Sequence, residues 1–143
     1  MKIAIRYQSR GGNTKKVAEY IAEKLMISAE SICTPIMEPV DLLIIGGGVY
    51  AEQVSPKLQK YIEMIDNALV KQVAPFCSSV ASSNIPKIIE LVEKQGIKLS
   101  KDSLPIAFDN MKWYQALLQK GKGEIKDKHK SQIDEFIKNI TKE

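Results

Sequence analysis

The sequence predicts an α/β protein, a doubly wound sheet of five parallel strands in the order 2-1-3-4-5. Three observations carry that reading. Apolar runs alternate with helical apolar stripes from one end of the chain to the other, as parallel βαβ units require. One of the runs, Asp41 to Ile45 (DLLII), is apolar at four consecutive positions, which suits a strand covered on both faces. The segments rich in glycine and serine that follow the first, third and fourth runs leave the same edge of such a sheet, and under that strand order they converge.

Each element has its own local reason. Met1 to Tyr7 is a first strand, and from Asn13 to Met26 the residues Val17, Ala18, Ile21, Ala22 and Leu25 recur at three and four, forming one stripe of a helix. Ser31 to Thr34 reads as a short second strand. Asp41 to Ile45 is the third and central one, ending in Gly46, Gly47 and Gly48, which read as a loop. Ser55 as N-cap and Pro56 at the first helical position open a second helix expected to reach Asn67. Gln72 to Phe76 is the fourth strand. A helix follows from Ile85 to Lys94, capped by Asn84, with Pro86 at its first position and Gly96 just past its end. Leu104 to Phe108 is the fifth strand, and Lys128 to Ile140 a last helix with Ile133, Phe136, Ile137 and Ile140 in register. The first half of Asn110 to Asp127 reads as a partial helix. The link Pro35 to Val40 is short for a parallel crossover, reaching only about 20 Å at ~3.3 Å per residue.

A chain of 143 residues with 44% hydrophobic content suits a single domain, 1-143, around one substantial core. The formal charge is +4, but 21 basic residues are interspersed with 17 acidic ones, so the pattern does not favour nucleic acid. Cys33 and Cys77 lie far apart and suggest neither a disulfide framework nor a metal site; reduced thiols fit a cytoplasmic setting. No run is long enough for a membrane span or a signal segment, and no internal repeat divides the chain.

The stretch Ser9-Arg10-Gly11-Gly12-Asn13-Thr14 joins a strand end to a helix start. There the backbone presents unpaired N–H groups and the positive end of a helix dipole, and glycines let those groups curl around an anion, with Ser9, Asn13 and Thr14 adding short donors. The alternative reading of these residues is an ordinary tight turn with Asn13 or Thr14 as a cap. The pattern GxxxxGK[ST] is absent, and Gly46 to Ala51 (GGGVYA), although it fits GxGxx[GA], lies too far from the next helix start for a dinucleotide fingerprint. The three convergent loops suit a flat heteroaromatic ring carrying a phosphate. No serine, histidine and carboxylate set and no metal-spaced cluster is visible, so no catalytic side chain is assigned.

Ile5 to Thr14, followed by Ala18 and Ile21, resembles the flavodoxin signature, and DLLIIGGGVYAEQVSPKLQKYIE resembles the third strand, flavin loop and third helix of short-chain flavodoxin-like proteins. The resemblance implies FMN as cofactor. Its phosphate would sit on Ser9, Arg10, Gly11, Gly12, Asn13 and Thr14. The isoalloxazine ring would be flanked by Gly47, Gly48, Val49, Tyr50 and Ala51, and its pyrimidine edge would lie on the backbone of Cys77, Ser78, Ser79, Val80 and Ala81. It also implies electron transfer to a redox partner protein or a small-molecule acceptor. Three departures stand out: Arg6 where the pattern has an apolar or aromatic residue, Gly11 in place of a hydroxyl, and Ala51 where the electron carriers have a glycine that changes its peptide orientation on reduction. With the basic charge, these keep a small quinone- or nicotinamide-linked FMN oxidoreductase open, and behind it a non-redox module for a phosphorylated ligand. Tyr50 is the stacking candidate. Trp113 and Tyr114 read as packing onto the core, Cys77 as a small buried residue, and His129, among lysines, as solvated.

Overall fold

In the computed structural model, which describes residues 1–10, 12–50, 53–79, 85–108 and 125–142, the apolar run at 42–45 is the middle of the sheet. Leu42 and Ile44 face one side and Leu43 and Ile45 the other, all fully buried. That alternation explains why the run carries no polar position: helices cover both faces.

The elements are β1 (Ile3–Gln8), α1 (Asn13–Leu25), β2 (Ala29–Ser31), β3 (Val40–Tyr50), β4 (Gln53–Val54), α2 (Pro56–Glu63), β5 (Val70–Ser79), α3 (Ile85–Lys94), β6 (Lys98–Leu99), β7 (Leu104–Ala107) and α4 (Asp127–Thr141). Parallel strands run in the order β2-β1-β3-β5-β6, and β7 also pairs with β5. The predicted order is therefore observed, with β6 and β7 sharing the fifth position. Helices α1 and α4 bury Val17, Ile21, Ile133 and Phe136 against Ile5, Ile44 and Phe76 on one face. On the other, α2 and α3 bury Leu58, Ile62, Ile88 and Val92 against Leu43, Ile45 and Val73.

Several boundaries differ from the sequence expectation, each for a local reason. The edge strand is split because Gln72 faces Lys98 while Phe76 faces Leu104, so six residues on the edge oppose four on β5. The excess is taken up at Ser100–Ser103, where Asp102 accepts from the Ser103 N–H at 2.8 Å and from Asn139 Nδ2 of α4 at 3.0 Å. Helix α2 stops at Glu63 rather than Asn67, because Asp66 forms a turn of its own: its carboxylate accepts from the Ala68 N–H and its carbonyl from the N–H groups of Leu69 and Val70.

The second strand is Ala29–Ser31, not Ser31–Thr34. Met26 closes α1 in the left-handed conformation at φ 59°, so the chain turns into the sheet early. Ser31 then ends the strand, its hydroxyl accepting from the Cys33 N–H and its carbonyl from the Thr34 N–H. The return to β3 is therefore Ile32–Pro39, a strap of eight residues that begins with this turn. Starting at Ile32 rather than Pro35, it has more chain for the return, which relieves the expected difficulty.

Arg6 fastens that strap. The side chain is 9% exposed, and its guanidinium donates to the carbonyl oxygens of Thr34 at 2.8 Å, Ile5 at 2.9 Å and Pro35 at 3.3 Å. Where the family pattern has an apolar residue, this chain uses a cation to satisfy carbonyl oxygens of the strap at Thr34 and Pro35. Tyr61 of α2 lies beside it: burial pushes the Tyr61 hydroxyl above the ordinary tyrosine range, and Arg6 partly opposes that shift by charge and hydrogen bonding.

His129 is not solvated. It is 1% exposed and sits in the first turn of α4. Its Nδ1 accepts from the Lys126 N–H at 3.0 Å, so Nε2 carries the proton and donates to the Ala107 carbonyl at 2.8 Å. The ring also packs on Phe108, with centroids 5.5 Å apart. The surrounding lysines point outward, and the histidine ties the start of α4 to the end of β7.

Candidate cofactor site at the carboxyl edge of the sheet

The turn between β1 and α1 is closed by its own serine: the Ser9 hydroxyl accepts from the Gly12 N–H at 2.9 Å and retains its proton for another acceptor. Gly12 is the N-cap of α1, at φ 96°, ψ −10°. Only glycine takes that conformation without strain, and it brings no side-chain oxygen to cover the first helical N–H groups. No acidic residue stands in the first turn. The start of α1 therefore presents its positive pole with no cap from its own N-cap side chain and no acidic residue in its first turn.

Thr14 and Asn13 are buried, at 1% and 7% exposure. The Thr14 Oγ1 lies 2.7 Å from Ser78 Oγ on β5, so the loop is joined to a strand two positions across the sheet. One hydrogen bond uses one of the pair's two protons. Whichever hydroxyl accepts keeps its own O–H to offer to a third oxygen, so the pair is a satisfied buried contact and a donor at once.

The glycine run is strand, not loop. Gly46, Gly47 and Gly48 lie within β3, paired with Phe76, Cys77 and Ser78 of β5, and Gly46 and Gly47 also with Tyr7 and Gln8 of β1. Two of them are small because side chains cross them: a Cβ on Gly46 would lie 2.5 Å from the Phe76 ring, and one on Gly47 2.6 Å from Leu58 Cδ2. The chain turns afterwards, where Tyr50 pairs antiparallel with Gln53 across positions 51 and 52. Ser55, whose hydroxyl accepts from the Lys57 N–H at 3.2 Å, then starts α2 as expected.

The carboxyl ends of β1, β3 and β5 are thus adjacent. They bring together Ser9, Arg10, Gly12, Asn13 and Thr14, the backbone of Gly47, Gly48, Val49 and Tyr50, and Ser78 and Ser79. Cys77 is within β5, fully buried, with its side chain in the core under α2 and α3, as expected of a small packed residue. Gly11, Ala51, Val80, Ala81, Trp113 and Tyr114, with the partial helix expected after Asn110, lie outside the described residues. The sequence assigned Ser78 only a backbone role, and its pairing with Thr14 left no local signal, since the two are far apart in the chain. Among the described residues no cluster of metal-ligating side chains occurs, and no helix is long and apolar enough to cross a membrane.

Fold and edge together define a doubly wound α/β protein with a glycine-capped strand-to-helix turn at the carboxyl edge of its sheet. The chain belongs to the flavodoxin domain family, whose model matches residues 4–118. No curated protein is matched by its sequence. Among solved structures it is similar to a flavodoxin from the domain Archaea, at 18% identity and TM-score 0.70 over 99% of this chain and 100% of that one. It is similar also to a short-chain flavodoxin associated with a non-canonical PDU bacterial microcompartment, at 15% identity and TM-score 0.67 over 98% of this chain and 97% of that one. A flavoprotein from Lactobacillus acidophilus, solved in complex with FMN, is 18% identical at TM-score 0.59 over 73% of this chain and 92% of that one.

Proposed function

We propose that this flavodoxin-domain protein binds FMN without a covalent bond and acts in electron transfer, exchanging electrons with a redox partner protein or a small-molecule acceptor in a cytoplasmic setting. The observation that carries the reading is the start of α1 at Gly12, which brings no capping side chain of its own and is flanked by the Ser9 and Thr14–Ser78 hydroxyls. These groups fit a phosphate: backbone N–H donors, two sources of O–H protons and no competing carboxylate in the helix turn. A hydrogen bond to a charged oxygen contributes roughly 1.5–3 kcal/mol, so two or three of them anchor the ligand without a lysine. The backbone from Gly47 to Ala51 and from Cys77 to Ala81 would flank the ring. FMN, when bound, supplies the redox chemistry that no protein side chain at this edge provides.

The residues of the chain bind, orient and shield. Gly12 holds the turn open, Ser9 and Thr14 fix the phosphate end, and the paired strands β3 and β5 give a rigid platform beneath it. Both cysteines are free thiols, Cys77 buried and Cys33 exposed, which agrees with a reducing compartment. The test is a titration of the purified protein with FMN and with riboflavin, followed by visible absorption. FMN should bind at least tenfold more tightly, a difference of about 1.4 kcal/mol. Equal affinity for the two would place the phosphate elsewhere and overturn the reading.

A further inference from the structure

A second concave surface shares no lining residue with the carboxyl-edge turn. Because the β2–β3 return is a strap and not a helix, one helix-sized position on the α2 face of the sheet is left open, and a groove of about 490 Å³ runs between the strap and α2. Its volume is within the range of small-molecule sites. One bank is Ile32, Pro35 and Ile36; the other is Tyr61, Met64 and Ile65, on successive turns of α2 and just past its end. Met64 is 72% exposed there, so an apolar surface stands open to water.

The charges around this groove do not balance. Lys57 and Lys60 stand on the α2 bank, and among the described residues neither ammonium forms an ion pair. Behind Pro35 and Tyr61 the Arg6 guanidinium is buried, bonded to carbonyl oxygens and to no carboxylate among the described residues. The carboxylate among the described lining residues, Asp66, is at the far end and already accepts from the Ala68 N–H. Lys57 lies in the first turn of α2, so the positive pole of the helix adds to the same end. From Lys57 to Ile65 the groove extends about 12 Å along α2 at ~1.5 Å per residue.

We propose that this groove binds a small amphiphilic anion, a slender apolar body with one carboxylate or similar head, the head at Lys57 and Lys60 and the body against Ile36, Tyr61 and Ile65. Apolar walls with cations at one end select both properties together; a neutral apolar molecule leaves the cations unpaired, and a compact anion leaves the walls wet.

The experiment is a titration of the full-length ¹⁵N-labelled chain with sodium decanoate below its aggregation concentration, with decan-1-ol, decylammonium and inorganic phosphate in parallel. Saturable amide shifts confined to Ile32–Ile36 and Lys57–Leu69 are expected for decanoate. Decan-1-ol should bind roughly tenfold more weakly and decylammonium more weakly still. The K57Q and K60Q variants should each weaken decanoate by up to about fivefold, the worth of one exposed ion pair. Phosphate should leave these amides unmoved. FMN uptake, read by absorption in the same samples, reports separately on the carboxyl-edge site. Absent or unsaturable shifts, equal binding of decylammonium, no effect of either lysine variant, or decanoate shifts centred on Ser9–Thr14 would each overturn the proposal.

Discussion

Replacing Gly46 with alanine should destabilise the protein by about 1–2 kcal/mol, although alanine is ordinarily the better strand residue. The added Cβ would stand 2.5–2.6 Å from three carbons of the Phe76 ring, about 1 Å inside normal contact. Phe76 is fully buried among Ile44, Leu104 and Phe108, so the ring has little room to withdraw. Overpacking of this kind costs typically 1–3 kcal/mol, and the lower chain entropy of alanine returns roughly 0.5–1 kcal/mol. Gly47→Ala meets only the end of the flexible Leu58 side chain and should cost well under 1 kcal/mol. Urea unfolding of both variants gives the comparison, as a lower midpoint at unchanged slope. Phe76→Leu would make room, so the double variant with Gly46→Ala should be more stable than the sum of the single effects by at least 0.5 kcal/mol. A neutral Gly46→Ala, or strict additivity with Phe76→Leu, would refute the packing reason for this glycine.

Other expectations follow from single contacts. Gly12→Ala forces a left-handed conformation on a residue with a Cβ and should cost about 1–2 kcal/mol in urea unfolding, with weaker FMN binding in the same preparation. Thr14→Val strands the buried Ser78 hydroxyl at a cost of about 1–3 kcal/mol; adding Ser78→Ala should recover part of the stability but not the FMN affinity. His129→Leu leaves the Lys126 N–H and the Ala107 carbonyl without their partner and should lower stability by about 2–4 kcal/mol, measured by thermal or urea unfolding. Tyr61 should titrate above the ordinary tyrosine value of about 10, and Arg6→Met should raise it further, observable by NMR of the labelled ring. Because the folded value is the higher one, this group's contribution to stability is whole below about pH 10 and is lost as pH rises through the folded value.

The strand order was legible because a doubly wound sheet writes itself as alternation, and DLLII marks its centre without help from any distant residue. The strand-to-helix turn at Ser9–Thr14 was legible for the same reason: its glycine and hydroxyl signals are local. What escaped depends on partners far along the chain. Gly46–Gly48 look like a loop until Phe76 and Leu58 are known to lie across two of them. His129 looks solvated in a lysine-rich segment until Ala107 and Phe108 are brought against it. Arg6 reads as a flaw in an apolar strand until the strap supplies carbonyl oxygens for it. The split of β6 from β7 hangs on an aspartate and an asparagine that meet only in the folded chain, Asp102 and Asn139.

The strap between β2 and β3 has a kinetic consequence. Past Ile32, whose N–H still bonds the Tyr7 carbonyl, it belongs to no ladder, and it is held by Arg6 at Thr34 and Pro35 and by the Lys2–Glu38 pair at its far end, so its least costly excursion is for the middle to peel away while the strands beneath stay shut. Amide protons of Ile36 and Met37 should then trade with deuterium long before those of Leu43 and Ile44, and neutralising a single guanidinium should hasten the first pair while leaving the second at its former pace.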